Sequence, residues 1–555
     1  MPENAEICTI ITIQTTIYIN KPNEKMKKLT IRNATLCTFR SENALWLFAI
    51  GWWLMASCAE GYETSSTADL GVYNTQMETP IQDSISFKVS TDGKSATISW
   101  PTVGGAGGHE VTFMNVDDPD NPVIIDGYDK KIVDGSKFTV SVAEDCKYQM
   151  QMRTLGKKEF GNKDDEETHT YNFTTMVPSV ATIPSGSDIY QYFQEHPLDS
   201  NKVEVAIDLE AGGEYTLSGT VDFSHHKLTF RGDKIHRPVV HMTGDGHFET
   251  YSTLKVKFIN FDMTESTAGG FIAMSKDNLP DSIKTENRGT YWRGSSQIKG
   301  IYMVEDPIYV ANCWFKNLPH AMLYHNNINC AFWYFTLSNC IVQMNNVTKS
   351  NIGFINLYDS GANGKSVKNI TIEKSTIYNI ADNGSACFIR YGNESNSNPE
   401  KVFGNINAEY CSHKWVFTRS TLAKCYYDDN THSGWRFCNN VRISSYFTLN
   451  IDHTIFYNCA QLYRMNGGSK TFRFNFFWND GQDDKTRNNG IKDSGNAPFA
   501  SEYDPGFGGD NAAQLKELDF SQPNGGVNFT PTEYEIVTNR GGDPRWLPNA
   551  DETEE

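Results

Sequence analysis

Thr454-Ile455-Phe456-Tyr457-Asn458, Ser375-Thr376-Ile377-Tyr378-Asn379 and Cys313-Trp314-Phe315-Lys316-Asn317 are three versions of one short unit. Each runs through apolar or aromatic residues and stops at Asn. A short strand pattern follows each: Gln461-Leu462-Tyr463-Arg464, Phe388-Ile389-Arg390-Tyr391 and Met322-Leu323-Tyr324-His325. Two further strand patterns, Ile355-Asn356-Leu357-Tyr358-Asp359 and Trp415-Val416-Phe417-Thr418-Arg419, lie between them without the full unit. Counted at Tyr324, Tyr358, Arg390, Arg419 and Tyr463, the steps are 34, 32, 29 and 44 residues. Repetition of this kind in a strand-rich chain predicts a solenoid. Steps near thirty fit one coil of three short strands each, and the step of 44 implies a long loop or an extra strand. Stacked coils would pair each strand with its equivalents ~4.8 Å above and below, and Asn at one turn position could bond its neighbour along an internal ladder. A propeller with blades of about 40–50 residues is the alternative, but the irregular steps favour the solenoid.

Upstream, Ser187-Asp188-Ile189-Tyr190-Gln191-Tyr192-Phe193-Gln194 has helical spacing behind a Ser/Asp cap. Val203–Tyr215 then reads as a strand entering an Ala-Gly-Gly-x-Tyr turn, and Lys227–Gly232 as a strand ending in Arg-Gly. This order resembles the opening of pectin-lyase-like right-handed β-helices. The end, Gly541-Gly542-Asp543-Pro544-Arg545-Trp546-Leu547, resembles the close of β-helix domains in lipoproteins of glycan-utilising Bacteroidetes-type bacteria. The resemblance implies a parallel β-helix over 180–550. It speaks to architecture and leaves activity open.

The N-terminal segment reads as an address. Residues 44–57 are an apolar run behind Lys27, Lys28, Arg32 and Arg40, too short to span a bilayer. Leu54-Met55-Ala56-Ser57-Cys58 resembles a lipobox, which implies lipidation of Cys58 and an outer-membrane, cell-surface lipoprotein. An ordinary signal peptide with a coincidental cysteine is the plainer alternative. Residues 1–57 are then a leader, with Met26 an alternative start, and 58–79 a Gly/Ser/Thr/Glu-rich tether. Residues 80–177 show short alternating strands at Ser95–Trp100, His109–Phe113 and Lys147–Met152, broken by Gly104–Gly108 and Asp117–Asn121. This segment resembles a fibronectin type III-like β-sandwich. The expected fold class is therefore all-β, a sandwich followed by a right-handed parallel β-helix. The Asp117–Asp120 loop reads as a solvated turn, with calcium binding as the alternative.

Composition narrows the function. A net charge of −18, with 67 Asp+Glu against 49 Lys+Arg and no basic tract, excludes a nucleic-acid binder of ordinary kind. Without residues 1–57 the charge is near −20. Nine cysteines remain beyond Cys58, an odd number with no zinc-type spacing. Buried free thiols are the default, with one or two bridges compatible with an oxidising compartment. No nucleophile elbow, His-Glu-x-x-His or phosphate loop is present, and Asn479–Asp484 lacks the full spacing of a calcium loop.

The repeated strand is the most informative candidate site. It carries His325, Asp359, Arg390, Arg419 and Arg464 at nearly equivalent places, beside Tyr324, Tyr358, Tyr391, Trp415 and Tyr463. Cations that pair with carboxylates, beside aromatic rings, suit an acidic glycan groove. The same pattern also describes a solvated sheet face, and a one-residue slip would turn side chains inward. Given the overall charge, such a groove must be locally positive or bridged by calcium. Three classes follow: a surface lipoprotein binding uronate-containing, pectin-like polysaccharide and working with glycan-import machinery; a polysaccharide lyase, with Arg390 and Arg419 as candidate catalytic groups; and an adhesin or structural surface protein.

Overall fold

The computed structural model describes residues 15–18, 28–31, 71–91, 93–200, 203–288, 298–345, 353–358, 365–380, 387–391, 399–403, 412–426, 436–439, 447–459, 469–478, 501–507 and 515–548. Two compact units are present, one holding most of the chain before residue 174 and the other nearly everything after it.

The first unit contains two sheets. Ser86–Val89, Ser95–Ser99 and Lys137–Ser141 form an antiparallel three-stranded sheet. Ala106–Asn115, Lys147–Gly156 and His169–Thr174 form the other, with Val123–Ile124 and Lys131–Val133 at its margin. Burial alternates with period two along Lys147–Gly156, as a half-buried strand requires. Side chains of the two sheets meet: Phe87 stacks on Phe173 at 4.9 Å, and Phe113 meets Phe138 edge-on at 6.2 Å. The acidic loop is a turn bonded to its own backbone, since Asp118 accepts the Asp120 N–H at 3.0 Å. Among the described residues no group of three His, Cys, Asp or Glu side chains is placed to hold a metal ion.

The second unit is a parallel β-helix of three stacked sheets. Its chain passes repeatedly from first sheet to second to third. Strands such as Cys330–Ser338, Ser366–Glu373 and His413–Thr418 stack in the first sheet; Ile341–Met344, Thr376–Asn379 and Thr421–Ala423 in the second; Ala321–Tyr324, Gly353–Leu357 and Cys387–Tyr391 in the third. The interior is a column of stacked apolar side chains. Phe354 lies on Phe388 at 4.9 Å with their rings 3° apart, and Phe388 on Phe437 at 5.5 Å. Asp188 caps the helix Ile189–Glu195 by accepting the Tyr190 N–H at 2.9 Å, as its Ser/Asp start predicts. Among the described residues no helix is long and apolar enough to cross a membrane.

From Phe258 onward a left-handed turn residue joins the first sheet to the second. Phe258, Asn312, Asn339, Lys374, Arg419, His453 and Phe474 hold this place, all with φ between 46° and 60°. Each of the first six gives its N–H to the carbonyl that ends the next coil's first-sheet strand, as Arg419 does to Asp452 at 2.9 Å. The residue after the turn points inward and builds the internal ladder: the Cys340 N–H reaches Ser375 Oγ at 3.1 Å, and the Thr454 N–H reaches Asn475 Oδ1 at 3.0 Å. The repeated Asn residues of the sequence do not form that ladder. Asn379 pairs in register with Met344, whereas Asn317 accepts from Asn345 at 3.2 Å.

The C-terminal motif is a strap across the second sheet. Asp543, 1% exposed, accepts from Thr376 Oγ1 at 2.8 Å and Arg545 Nη1 at 3.0 Å. Arg545 also reaches Asn339 Oδ1 at 2.6 Å, and the Trp546 indole N–H reaches Thr376 Oγ1 at 2.6 Å. Gly541 is required because a Cβ there would stand 2.4 Å from the Phe476 ring.

Candidate functional site

The third sheet carries the site. Its strands each send two consecutive residues into the core, Met322-Leu323, Phe354-Ile355 and Phe388-Ile389. The next residue of each strand then stacks with its equivalents: Tyr324 pairs with Asn356, and Asn356 with Arg390. Below Tyr324 the same column continues through Ala273 and Glu249 to Asp222. The column is thus acidic at one end and cationic at the other.

At the cationic end, the Arg390 guanidinium lies 3.9 Å from the centre of the Tyr358 ring. Arg390 is 8% exposed, and its Nε has no hydrogen-bond partner among the described residues. Tyr324, Asn356 and Tyr358 are half-buried. One corner further, Lys365 Nζ stands 2.7 Å from His325 Nδ1, both residues being 1% exposed. The Asn327 N–H also donates to that Nδ1, at 2.9 Å. A ring nitrogen that accepts the Asn327 N–H carries no proton of its own, which leaves the ring proton on Nε2.

At the acidic end, Glu249 is buried and saturated. His247 Nε2 lies 3.1 Å from its Oε1, and Asn326 Nδ2 donates to the same oxygen at 2.6 Å. Burial would raise its carboxyl, but the bond from His247 and the charge of Lys276 outweigh that and hold it below the usual range. Burial likewise works against His247, and the bond to Glu249 outweighs it and raises the imidazole. Asp222 is exposed and accepts from Ser275 Oγ at 2.7 Å. The contacts of Glu249 with Asn326, of Asp222 with Ser275 and of Lys365 with His325 do not show in the repeat pattern, because each joins residues from different coils.

The structure rearranges the expected column. Tyr391 and Trp415 are fully buried and present no face to a sugar. The Tyr391 hydroxyl bonds the Val367 backbone, and Trp415 packs edge-on against Phe447 at 5.0 Å. Trp415 belongs to a first-sheet strand, and Arg419 is the exposed turn residue after it. Arg390 therefore lies on the third sheet and Arg419 in the turn between the first and second, and the step of 29 between them is not one coil. The third-sheet equivalent of Arg390 in the next coil is Asn439. His325 faces Lys365 in a buried corner. Asp359, Tyr463, Arg464 and Cys58 lie outside the described residues.

His413 gives this region a pH response. It is fully buried beside Trp415, and burial, with the nearby Lys368 charge, pushes it down to about 3. The unfolded chain protonates near the ordinary 6.5, so stability is complete above that pH and is lost between 6.5 and about 3. The expected slope is roughly 1.4 kcal/mol for each pH unit in that window. Urea unfolding of the His413→Phe variant across the same window should show a flatter acid limb than the wild type; equal slopes would contradict the assignment.

Comparison with known proteins gives two family matches. Residues 32–214 match a domain of unknown function, DUF4992, and residues 213–380 match another, DUF4957. No curated protein matches the sequence. Among solved structures, the chain is similar to a family 28 exopolygalacturonase of Yersinia enterocolitica, at 11% identity over 73% of this chain and 88% of that one, with a TM-score of 0.21. It is similar to the pectate lyase PelI of Erwinia chrysanthemi, solved in complex with tetragalacturonic acid, at 10% identity over 64% and 88% of the two chains, TM-score 0.12. A PL6-family alginate lyase variant matches at 12% identity over 66% and 59%, TM-score 0.17.

Proposed function

We propose that the protein is a cell-surface lipoprotein that binds an acidic, uronate-containing polysaccharide along the third sheet of its β-helix. The observation that carries this reading is the Arg390–Tyr358 pair on the third sheet, a cation stacked on a half-buried tyrosine ring, with a buried amine, Lys365, held against His325. The cation holds the ring in place, and a rigid aromatic ring with a polar tip is suited to packing on a sugar. In a chain of net charge −18, a local cluster of cations provides the positive potential an anionic polymer needs to approach. Arg390, being buried, positions Tyr358 and contributes field rather than pairing directly with a carboxylate.

The Lys365–His325 contact favours a second reading, a polysaccharide lyase. An amine hydrogen-bonded to a neutral imidazole is a candidate base for the proton α to a uronate carboxylate. That role falls to Lys365 rather than to Arg390, which is stacked and buried, or Arg419, which lies on another corner.

Incubating the purified chain with a panel of uronate polysaccharides, while following both retention and the ultraviolet absorbance of unsaturated sugars, separates the two. Retention without product supports the binder. Product formation that Lys365→Met abolishes supports the lyase. Absence of both overturns the proposal. Anchoring through Cys58 belongs to the same reading, and Cys58→Ala should move the protein into the soluble fraction; a variant that stays with the membrane contradicts it.

A further inference from the structure

Cys425 and Cys459 occupy one place on successive coils. Ala423 and Tyr457 are Cα partners in the second sheet, and each cysteine lies two residues beyond its partner. The residue between is a left-handed turn in both coils, with φ of 55° at Lys424 and 47° at Asn458. The Lys424 N–H still reaches the Tyr457 carbonyl, at 2.9 Å, so the two coils keep step up to the cysteines. Both side chains are buried, at 0% and 1% exposure, and both thiols are free. Cys425 Sγ points to the Ile377 carbonyl at 3.0 Å, and Cys459 Sγ to the Leu422 carbonyl at 3.4 Å. Leu422 belongs to the coil of Cys425, so the Cys459 thiol turns toward the coil that carries its counterpart.

We infer that Cys425 and Cys459 form an inter-coil disulfide when the protein folds in an oxidising compartment. Strands one coil apart stand ~4.8 Å from each other, inside the Cα separation of about 4.4–6.8 Å that a disulfide spans. The two thiols give up two protons and two electrons as the S–S bond forms, and a donor disulfide of the thiol-oxidoreductase or glutathione class takes them up and leaves as two thiols. Burial pushes the Cys425 thiol up, which suppresses the reactive thiolate in the finished core. The exchange therefore belongs to folding, before the coils close. Once formed, the bond clips two coils at the roots of their connections to the next strands and restricts the unfolded chain.

The test uses the full chain exported to the periplasm of a bacterial host, where thiol oxidoreductases supply the donor disulfide. Free thiols are alkylated under denaturing conditions, and the chain is digested without reductant and analysed by mass spectrometry. The expected result is that most of the Cys425 and Cys459 peptides appear cross-linked, lighter than their sum by two hydrogens, and separate on reduction. Recovery of both peptides mainly as alkylated thiols would overturn the inference, as would either one joined to a different cysteine.

Discussion

Replacing Trp415 with alanine should lower the unfolding free energy of the β-helix by about 3–5 kcal/mol, the cost of emptying a large aromatic site in a packed core. Trp415 is fully buried and meets Phe447 at 5.0 Å, Tyr391 at 6.4 Å and His413 at 6.4 Å. Its indole nitrogen has no hydrogen-bond partner among the described residues, so Trp415→Phe should cost far less than Trp415→Ala. Urea denaturation of both variants checks this. A Trp415→Ala chain as stable as the wild type but impaired in glycan retention would return the side chain to the surface and contradict the fold described.

Replacing Asp543 with alanine should also be damaging, by about 1–3 kcal/mol, because it leaves the half-buried Arg545 without its carboxylate and the buried Thr376 hydroxyl without its acceptor. The carboxylate holds Arg545 and Thr376, while its own backbone N–H reaches Thr421 Oγ1 at 3.2 Å. One residue thereby ties the C-terminal strap to two coils of the second sheet. Asp543→Asn keeps an acceptor for Thr376 and should lose less. In a solenoid, where each coil is supported only by its neighbours, both variants should lower the thermal midpoint of the whole unit. Asp543→Ala with an unchanged midpoint would show the strap to be decoration.

The solenoid was legible because its repeats are spelled in apolar triplets, and the triplets ending at Asn317, Asn379 and Asn458 all fall in second-sheet strands or just beyond them. The helix behind Asp188 and the alternating strands of 80–177 were legible for the usual reasons of capping and period. The assignment of strands to sheets was not. In the third sheet Phe354-Ile355 and Phe388-Ile389 both turn inward, so a period-two reading places the residues after them on the wrong face. Tyr391 and Trp415 illustrate the cost: an aromatic beside an arginine reads alike on a groove and in a core. Arg419 holds a left-handed turn that Asn fills in two other coils, and nothing local to Arg419 announces that role. Lys365 meets His325 across forty residues of chain, a contact set by coil length rather than by any motif.

The most direct test of the central claim, that the third sheet binds an acidic glycan, is titration of a uronate polysaccharide against the wild type, Tyr358→Ala and Arg419→Ala at two salt concentrations. The wild type should bind, and added salt should weaken it because exposed charge interactions are screened. Tyr358→Ala should lose about 1 kcal/mol or more, the scale of one aromatic contact, while Arg419→Ala, on another corner of the coil, should bind as the wild type does. Loss of affinity in Arg419→Ala with Tyr358→Ala unaffected, or no binding by the wild type to any uronate polymer, would contradict the account.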